Sequence, residues 1–322
     1  MTLRSTHLTN QHKNRNVSLK QEFSLSQIFA SKVIQNGSNQ ESSIKINSRR
    51  KTLLLKNKQC EAEFARSDFF QKFVNGVLDR HKLVITCDIS VKPNKTTSSA
   101  NIISKIICLG IGSFTLNKEA EYQLIFLRCL AEVLGLKTDS EQKSVLVFDP
   151  IHTKNEQKII RQLGFDLMPM EQNLEGKYSL KEEKSSGTLF YLPHCPKQLT
   201  NNLLWANWDR QTIASIDPAN SVDNSVRGLY ILGNSFERLT SSLPDRILKE
   251  SAEYILIASK YAKETKIENC FKFSDIFNDT SLHSFPIHNL PPSSDPMWKI
   301  AKIQGPPIYR EEDPREFIKK GS

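Results

Sequence analysis

The sequence predicts an α/β fold: a doubly wound, mainly parallel, Rossmann-like sheet with helices on both faces. Three observations carry this. From Ser104 onward, short apolar runs alternate with amphipathic stretches at helical spacing, the pattern of strands joined by right-handed helical crossovers. The first run, Ser104-Lys-Ile-Ile-Cys-Leu-Gly-Ile-Gly-Ser-Phe114, stops in two glycines one residue apart. Three further unusual motifs also follow the ends of apolar runs, and in an open parallel sheet those carboxyl ends border the ligand crevice.

Ahead of the sheet, Phe64, Phe69, Phe70, Phe73, Val74, Val77 and Leu78 recur at helical period, predicting a helix over Glu61–Arg80. Leu83–Cys87 suits either a helical turn or an edge strand, and Pro93–Ala100 is a linker. A strand at Lys105–Gly110 precedes a helix at Asn117–Leu134, whose Ala120, Leu124, Leu127, Ala131 and Leu134 share one face. A second strand, Ser144–Phe148, ends in Asp149-Pro150. A helix over Lys154–Leu163 is closed by Gly164, and Phe165–Met168 forms a third strand. After a polar loop at Glu171–Gly187, the fourth strand, Thr188–Leu192, runs into Pro193-His-Cys-Pro196 and a helix bearing Leu199, Leu203, Leu204 and Trp208. The loop Thr212–Arg227 leads to a fifth strand, Leu229–Leu232, ending in Gly233-Asn-Ser-Phe236. Pro244–Lys260 reads as one long helix, Ile267–Phe273 as the last strand, and the Pro-rich tail from Pro286 as an extended wrap.

Residues 1–60 hold eleven Lys/Arg against Glu22 and Glu41, which accounts for the whole formal charge of +9. The remainder is electrically balanced, so the folded part makes no electrostatic case for nucleic acid. Rich in Ser, Asn, Gln and Lys, residues 1–60 read as a disordered basic arm, residues 61–286 as the α/β domain, and 287–322 as a Pro-rich extension. Ser48-Arg-Arg-Lys51 also fits the short basic runs of nuclear import. No run reaches the ~20 apolar residues of a membrane helix, and no secretory signal opens the chain. The six cysteines are scattered without a C-x-x-C pair, which suits reduced thiols and a cytoplasmic protein, with the nucleus as a second location.

Ten residues at the strand ends form the candidate ligand site: Gly110, Gly112, Ser113, Phe114, Asp149, Pro193, His194, Cys195, Asn202 and Asn234. The glycines let backbone approach a ligand, with N–H groups ahead of a helix to meet an anion, or they simply make a tight turn. Asp149 suits a ribose hydroxyl or the cap of the next helix. Flanking prolines stiffen His194 and Cys195 into fixed positions. That loop serves as a ligand contact or packs on the Trp205–Trp208 helix, while Asn202 aims its amide toward the crevice. Three ligand chemistries stay open: a nucleotide-like molecule, S-adenosylmethionine, and haem, through the Cys195-Pro196 dipeptide. No metal site and no catalytic residue is assigned, and a protein partner is a further expectation.

The set Cys108-Leu-Gly-Ile-Gly-Ser-Phe114, Val147-Phe-Asp-Pro150, Glu175-Gly-Lys-Tyr178, Leu189-Phe-Tyr-Leu-Pro-His-Cys-Pro196, Asn201-Asn-Leu-Leu-Trp-Ala-Asn-Trp208, Ile231-Leu-Gly-Asn-Ser-Phe236 and Phe277-Asn-Asp-Thr-Ser-Leu282 resembles the sensitivity-to-red-light-reduced (SRR-like) family over about Phe64–Pro286. The resemblance implies a regulatory protein of the cytoplasm and nucleus. It implies roles in circadian clock regulation and, in animals, in regulation of haem biosynthesis, with microtubule-related processes in fungal relatives. It implies no enzyme activity. The layout of glycine turn, acid after the second strand and Pro-flanked motif after the fourth also resembles S-adenosylmethionine-dependent methyltransferases. It departs from them in lacking an acid just before Gly110, in Phe114 where a third glycine is usual, and in the composition of Pro193–Pro196.

Overall fold

The structure is a computed structural model and describes residues 59–83, 103–136, 144–169, 175–181, 187–215 and 228–309. Expectations for the arm up to residue 58, for most of Leu83–Cys87, for Pro93–Ala100 and for much of the two polar loops lie outside the described residues. Seven strands form one sheet: β1 (Ile103–Leu109), β2 (Val145–Phe148), β3 (Asp166–Leu167), β4 (Gly187–Tyr191), β5 (Gly228–Asn234), β6 (Lys263–Lys266) and β7 (Thr280–Ser284). Their order is β3-β2-β1-β4-β5-β7-β6. The pairs β2–β3, β1–β2, β1–β4 and β4–β5 are parallel. The α/β class and the mainly parallel sheet are as the sequence predicts, and the strand order reverses direction between β1 and β4.

Strands buried on both sides carry continuous apolar runs, and successive residues serve opposite faces. Ile107, Leu109, Phe190, Leu192, Leu229 and Ile231 pack with Leu203, Leu204, Tyr254 and Ile255 in one core. Tyr191, adjacent to Phe190 in sequence, instead meets Phe126, ring centroids 5.4 Å apart. Phe126 lies on the helix Lys118–Val133 (α2) and sits among Phe64, Phe69, Phe70, Phe73 and Phe277. Those first phenylalanines come from the segment ahead of the sheet, where the helix expected over Glu61–Arg80 is interrupted at Ser67. The Ser67 Oγ accepts Phe70 N–H and starts α1 (Asp68–Lys72), which continues as a π turn over Phe73–Leu78.

Four further corrections concern the second half. The strand expected at Ile267–Phe273 lies earlier, at β6, and Thr280–Ser284 is a strand that the sequence reading passed over. Both are polar, so an apolar run could not announce them. Strand β7 is antiparallel to β5 and β6, and its polar residues are buried because partners await them: Ser284 Oγ meets His81 Nδ1 at 2.8 Å, and His283 donates from Nδ1 to Ile231 O at 3.1 Å. The helix expected over Pro244–Lys260 is two, Asp245–Ser251 and Glu253–Ala258, parted at Ala252. Asn201 Oδ1 accepts the N–H groups of Tyr254 and Ile255 at 2.8 and 3.3 Å, so a neighbouring helix caps the second piece. The tail is extended only in part. Asp295 caps a 3₁₀ turn, Pro296–Lys299, that leads into the short helix Ile300–Gln304.

A polar network fastens β5, β6 and β7 together. Glu264 accepts Ser235 Oγ through Oε1 at 2.5 Å and Glu237 N through Oε2 at 3.0 Å, and His283 Nε2 lies 3.6 Å from the same Oε2. Burial alone would raise the Glu264 carboxyl. His283, Ser235 and the Glu237 N–H outweigh it and hold the group down from 4.5 to about 2. A group depressed in the folded state contributes stability above its unfolded pKa and loses it as pH falls through the folded one. The thermal midpoint is therefore expected to decline between pH 4.5 and about 2, and Glu264→Gln to flatten that limb in thermal melts. Parallel acid limbs in the two proteins would remove Glu264 from the account.

Candidate functional site

The segment after β1 leaves the sheet through two left-handed residues, Gly110 at φ 74° and Gly112 at φ 83°. A side chain at Gly110 is excluded twice. Its Cβ would lie 2.7 Å from Cys195 Sγ, and the positive φ disfavours any L residue. The close approach is purposeful, because the Cys195 S–H donates to Leu109 O at 3.2 Å. In this way the loop after β4 is seated directly on the end of β1.

Both backbone groups of Gly112 are held by side chains from beyond β2. Its N–H donates to Asp149 Oδ2 at 2.7 Å, and its carbonyl accepts His152 Nε2 at 3.1 Å. The carbonyl can only accept, so Nε2 carries the proton, and the buried Nδ1 has no partner among the described residues. Burial lowers the His152 pKa against the opposing pull of Asp149 and Glu156, so the ring is neutral. Phe114 is buried edge-on against this imidazole, centroids 5.6 Å apart.

The next residues are gathered by Glu156, whose exposure is 0%. Its Oε1 accepts Ser113 Oγ at 2.7 Å, Thr115 N at 3.1 Å and Thr115 Oγ1 at 2.9 Å. Its Oε2 accepts the N–H and hydroxyl of Thr153, both at 2.9 Å, completing the capping box of helix α3 (Lys154–Gln162). Burial would raise this carboxyl, but the hydrogen bonds from Thr153, Ser113 and Thr115 prevail and lower it. The sequence reading missed Glu156 and His152. The Thr-x-x-Glu spacing was visible, yet it announces an ordinary helix start and nothing of Ser113 and Thr115.

After β4, His194 is exposed in a left-handed conformation, φ 51°, and its Nε2 donates to Ile276 O at 2.9 Å. Asn234 donates from Nδ2 to Cys195 O at 2.9 Å. Pro193 is buried ahead of that turn. The structure thus gathers Gly110, Gly112, Ser113, Phe114, Asp149, Pro193, His194, Cys195 and Asn234 at the ends of β1, β2, β4 and β5.

Asn202 departs from this group. It is fully buried on helix α4 (Lys197–Ala206), donates to Glu175 O at 2.8 Å and accepts Tyr309 Oη at 2.7 Å. Its amide stitches α4 to the segment at 175–181 and to the tail instead of turning to the strand ends. Asn207 does the same work, accepting Leu180 N and donating to Tyr178 O. The Cys195 sulfur, which a haem iron would need, is buried and turned to Leu109 O.

Chemically, the arrangement offers shape and hydrogen bonding. The hydroxyls of Ser113 and Ser235 donate to carboxylates, and among the described residues no three His, Cys, Asp or Glu side chains group as metal ligands.

A family model described as the SRR1 domain matches residues 72–284. An SRR1-like protein of Drosophila melanogaster is 33% identical over 193 residues, 60% of this chain and 59% of that protein. One from Mus musculus is 32% identical over 166 residues, 52% and 57% of the two chains. The Arabidopsis thaliana protein named SENSITIVITY TO RED LIGHT REDUCED 1 is 25% identical over 186 residues, 56% and 58%. The chain thus spans under two thirds of the length of these curated relatives. No solved structure matches it.

Gly110→Ala is expected to destabilise the protein by about 2 kcal/mol or more, the sum of a clash and a strained φ. Adding Cys195→Ala removes the sulfur and should recover part of the loss, leaving the roughly 1 kcal/mol of backbone strain. Urea unfolding of the four proteins measures this. Strict additivity would deny the contact.

Proposed function

Because the chain belongs to the SRR1 domain family, we propose that it is a regulatory protein whose strand-end crevice senses a small nucleoside-bearing ligand. Its cellular roles on this reading lie in circadian clock regulation and in regulation of haem biosynthesis. Family membership supports those roles. The crevice reading rests on one observation: the exposed Gly110, the exposed His194 and the part-exposed Gly112, Asp149 and Asn234 converge where the strand order reverses between β1 and β4, the place where open α/β sheets bind ligands.

The loop is fixed before any ligand arrives, since Asp149, His152 and Glu156 already hold it. Preorganisation of this kind lowers the entropic cost of binding. The S-adenosylmethionine-dependent methyltransferase reading is the second, favoured by the same glycine turn and by Asp149 after β2. Against it, both Asp149 oxygens already accept backbone N–H groups, from Gly112 and Ile151, leaving a ribose only its remaining lone pairs.

Calorimetric titration with S-adenosylmethionine and with adenosine separates the two. Saturable binding of either, weakened about tenfold in His194→Asn, is the expected result. Asn is chosen because it tolerates the left-handed backbone, so the thermal midpoint should hold. Methyl transfer to any acceptor would require S-adenosylmethionine to bind. If neither compound binds saturably, the nucleoside reading fails.

A further inference from the structure

At the opposite, amino edge of the sheet lies a cavity of about 240 Å³ between the end of the first helical segment, the start of β6 and the end of β7. Among the described residues that line it, Arg80, His81, Lys82, Lys263 and His288 are basic and none is Asp or Glu, whereas beyond residue 60 the chain as a whole carries as many Lys and Arg as Asp and Glu. Among the described residues neither Arg80 nor Lys263 pairs with a carboxylate.

The fold holds Lys263 and the turn that carries Arg80 and Lys82. Lys263 Nζ donates to Arg80 O, which ties the start of β6 to the helix end. Lys82 stands in a left-handed turn, φ 54°, closed by Lys82 N to Asp79 O at 2.8 Å. Beneath them His81 is buried, with its ring nitrogens 2.8 Å from Ser284 Oγ and 2.9 Å from Thr265 Oγ1. Burial, aided by Lys263 and His283, pushes the His81 pKa down to about 3. His81 is therefore neutral, and the positive field is carried by Arg80 and Lys263.

We propose that this cavity binds a small phosphate-bearing anion through Arg80 and Lys263, with His288 as a further contact. The chemistry favours phosphate over a simple monoanion. A planar guanidinium and an ammonium group around one space match a dianion with several oxygens. The serine hydroxyls of the lining are committed elsewhere: Ser215 Oγ donates to Leu229 O and accepts Phe285 N, and Ser284 faces His81. Affinity must therefore come from the charged side chains and weaken with added salt. The site stands on residues apart from the strand-end crevice and does not depend on how that crevice is read.

The test is calorimetry on the full chain with inorganic phosphate and with glycerol phosphate, each against chloride at constant ionic strength. Saturable binding is expected, weakened about tenfold or more in Arg80→Gln and unchanged in Lys260→Gln, an exposed lysine outside the cavity. Lys263→Gln also removes the bond to Arg80 O, so it is read only alongside its thermal midpoint. Preference for glycerol phosphate would identify a phosphomonoester, and preference for phosphate the free ion. Equal response to chloride, or full binding by Arg80→Gln, would overturn the site and leave the basic arm as the source of any anion uptake.

Discussion

Glu156 has no solvent exposure, and no Lys or Arg among the described residues pairs with it, so its charge is carried by donors from Ser113, Thr115 and Thr153. Burying a carboxylate costs several kcal/mol unless its lone pairs are satisfied, and here five donors meet two oxygens. The arrangement of the strand ends follows from that requirement. Ser113 and Thr115 must stand where Glu156 can be reached, which fixes the path of the chain between Gly110 and α2 and joins the β1 crossover to the β2 crossover.

The other contacts at these strand ends work within the frame that Glu156 sets. Asp149 and His152 take the N–H and C=O of Gly112, and Cys195 fills the space that a Gly110 side chain would need. Asn234 then holds the Cys195 carbonyl, linking the end of β5 to the same point. The loops after β1, β2, β4 and β5 are therefore connected through side-chain bonds to backbone, independently of the sheet's own ladder.

The parts of the fold legible in the sequence were those where burial is announced by composition. Strands β1, β4 and β5 are continuous apolar runs, and α2 and α3 carry clear periodicity. The elements that escaped reading are the polar ones. Strand β7 is buried through His283 and Ser284, whose partners are distant in sequence, and β6 alternates charges along the sheet edge. The short motifs do fall at strand ends, because glycine and proline record backbone constraints locally. Asn202 misled for the opposite reason: a side-chain amide near a crevice carries no sign of which way it turns, and Glu175 and Tyr309 decide it. Glu156 was missed because a capping box looks the same whether its glutamate serves one helix or two loops.

Site-resolved amide hydrogen exchange on the intact protein, compared with Glu156→Gln, tests most directly whether this carboxylate holds the strand ends. Slow exchange at Thr115 and Gly112 is predicted for the native protein. In the variant Thr115 should accelerate by about tenfold or more while core amides of β1 and β4 keep their protection. Equal protection of Thr115 in both proteins would contradict the account, since the loop would then be held by something other than Glu156.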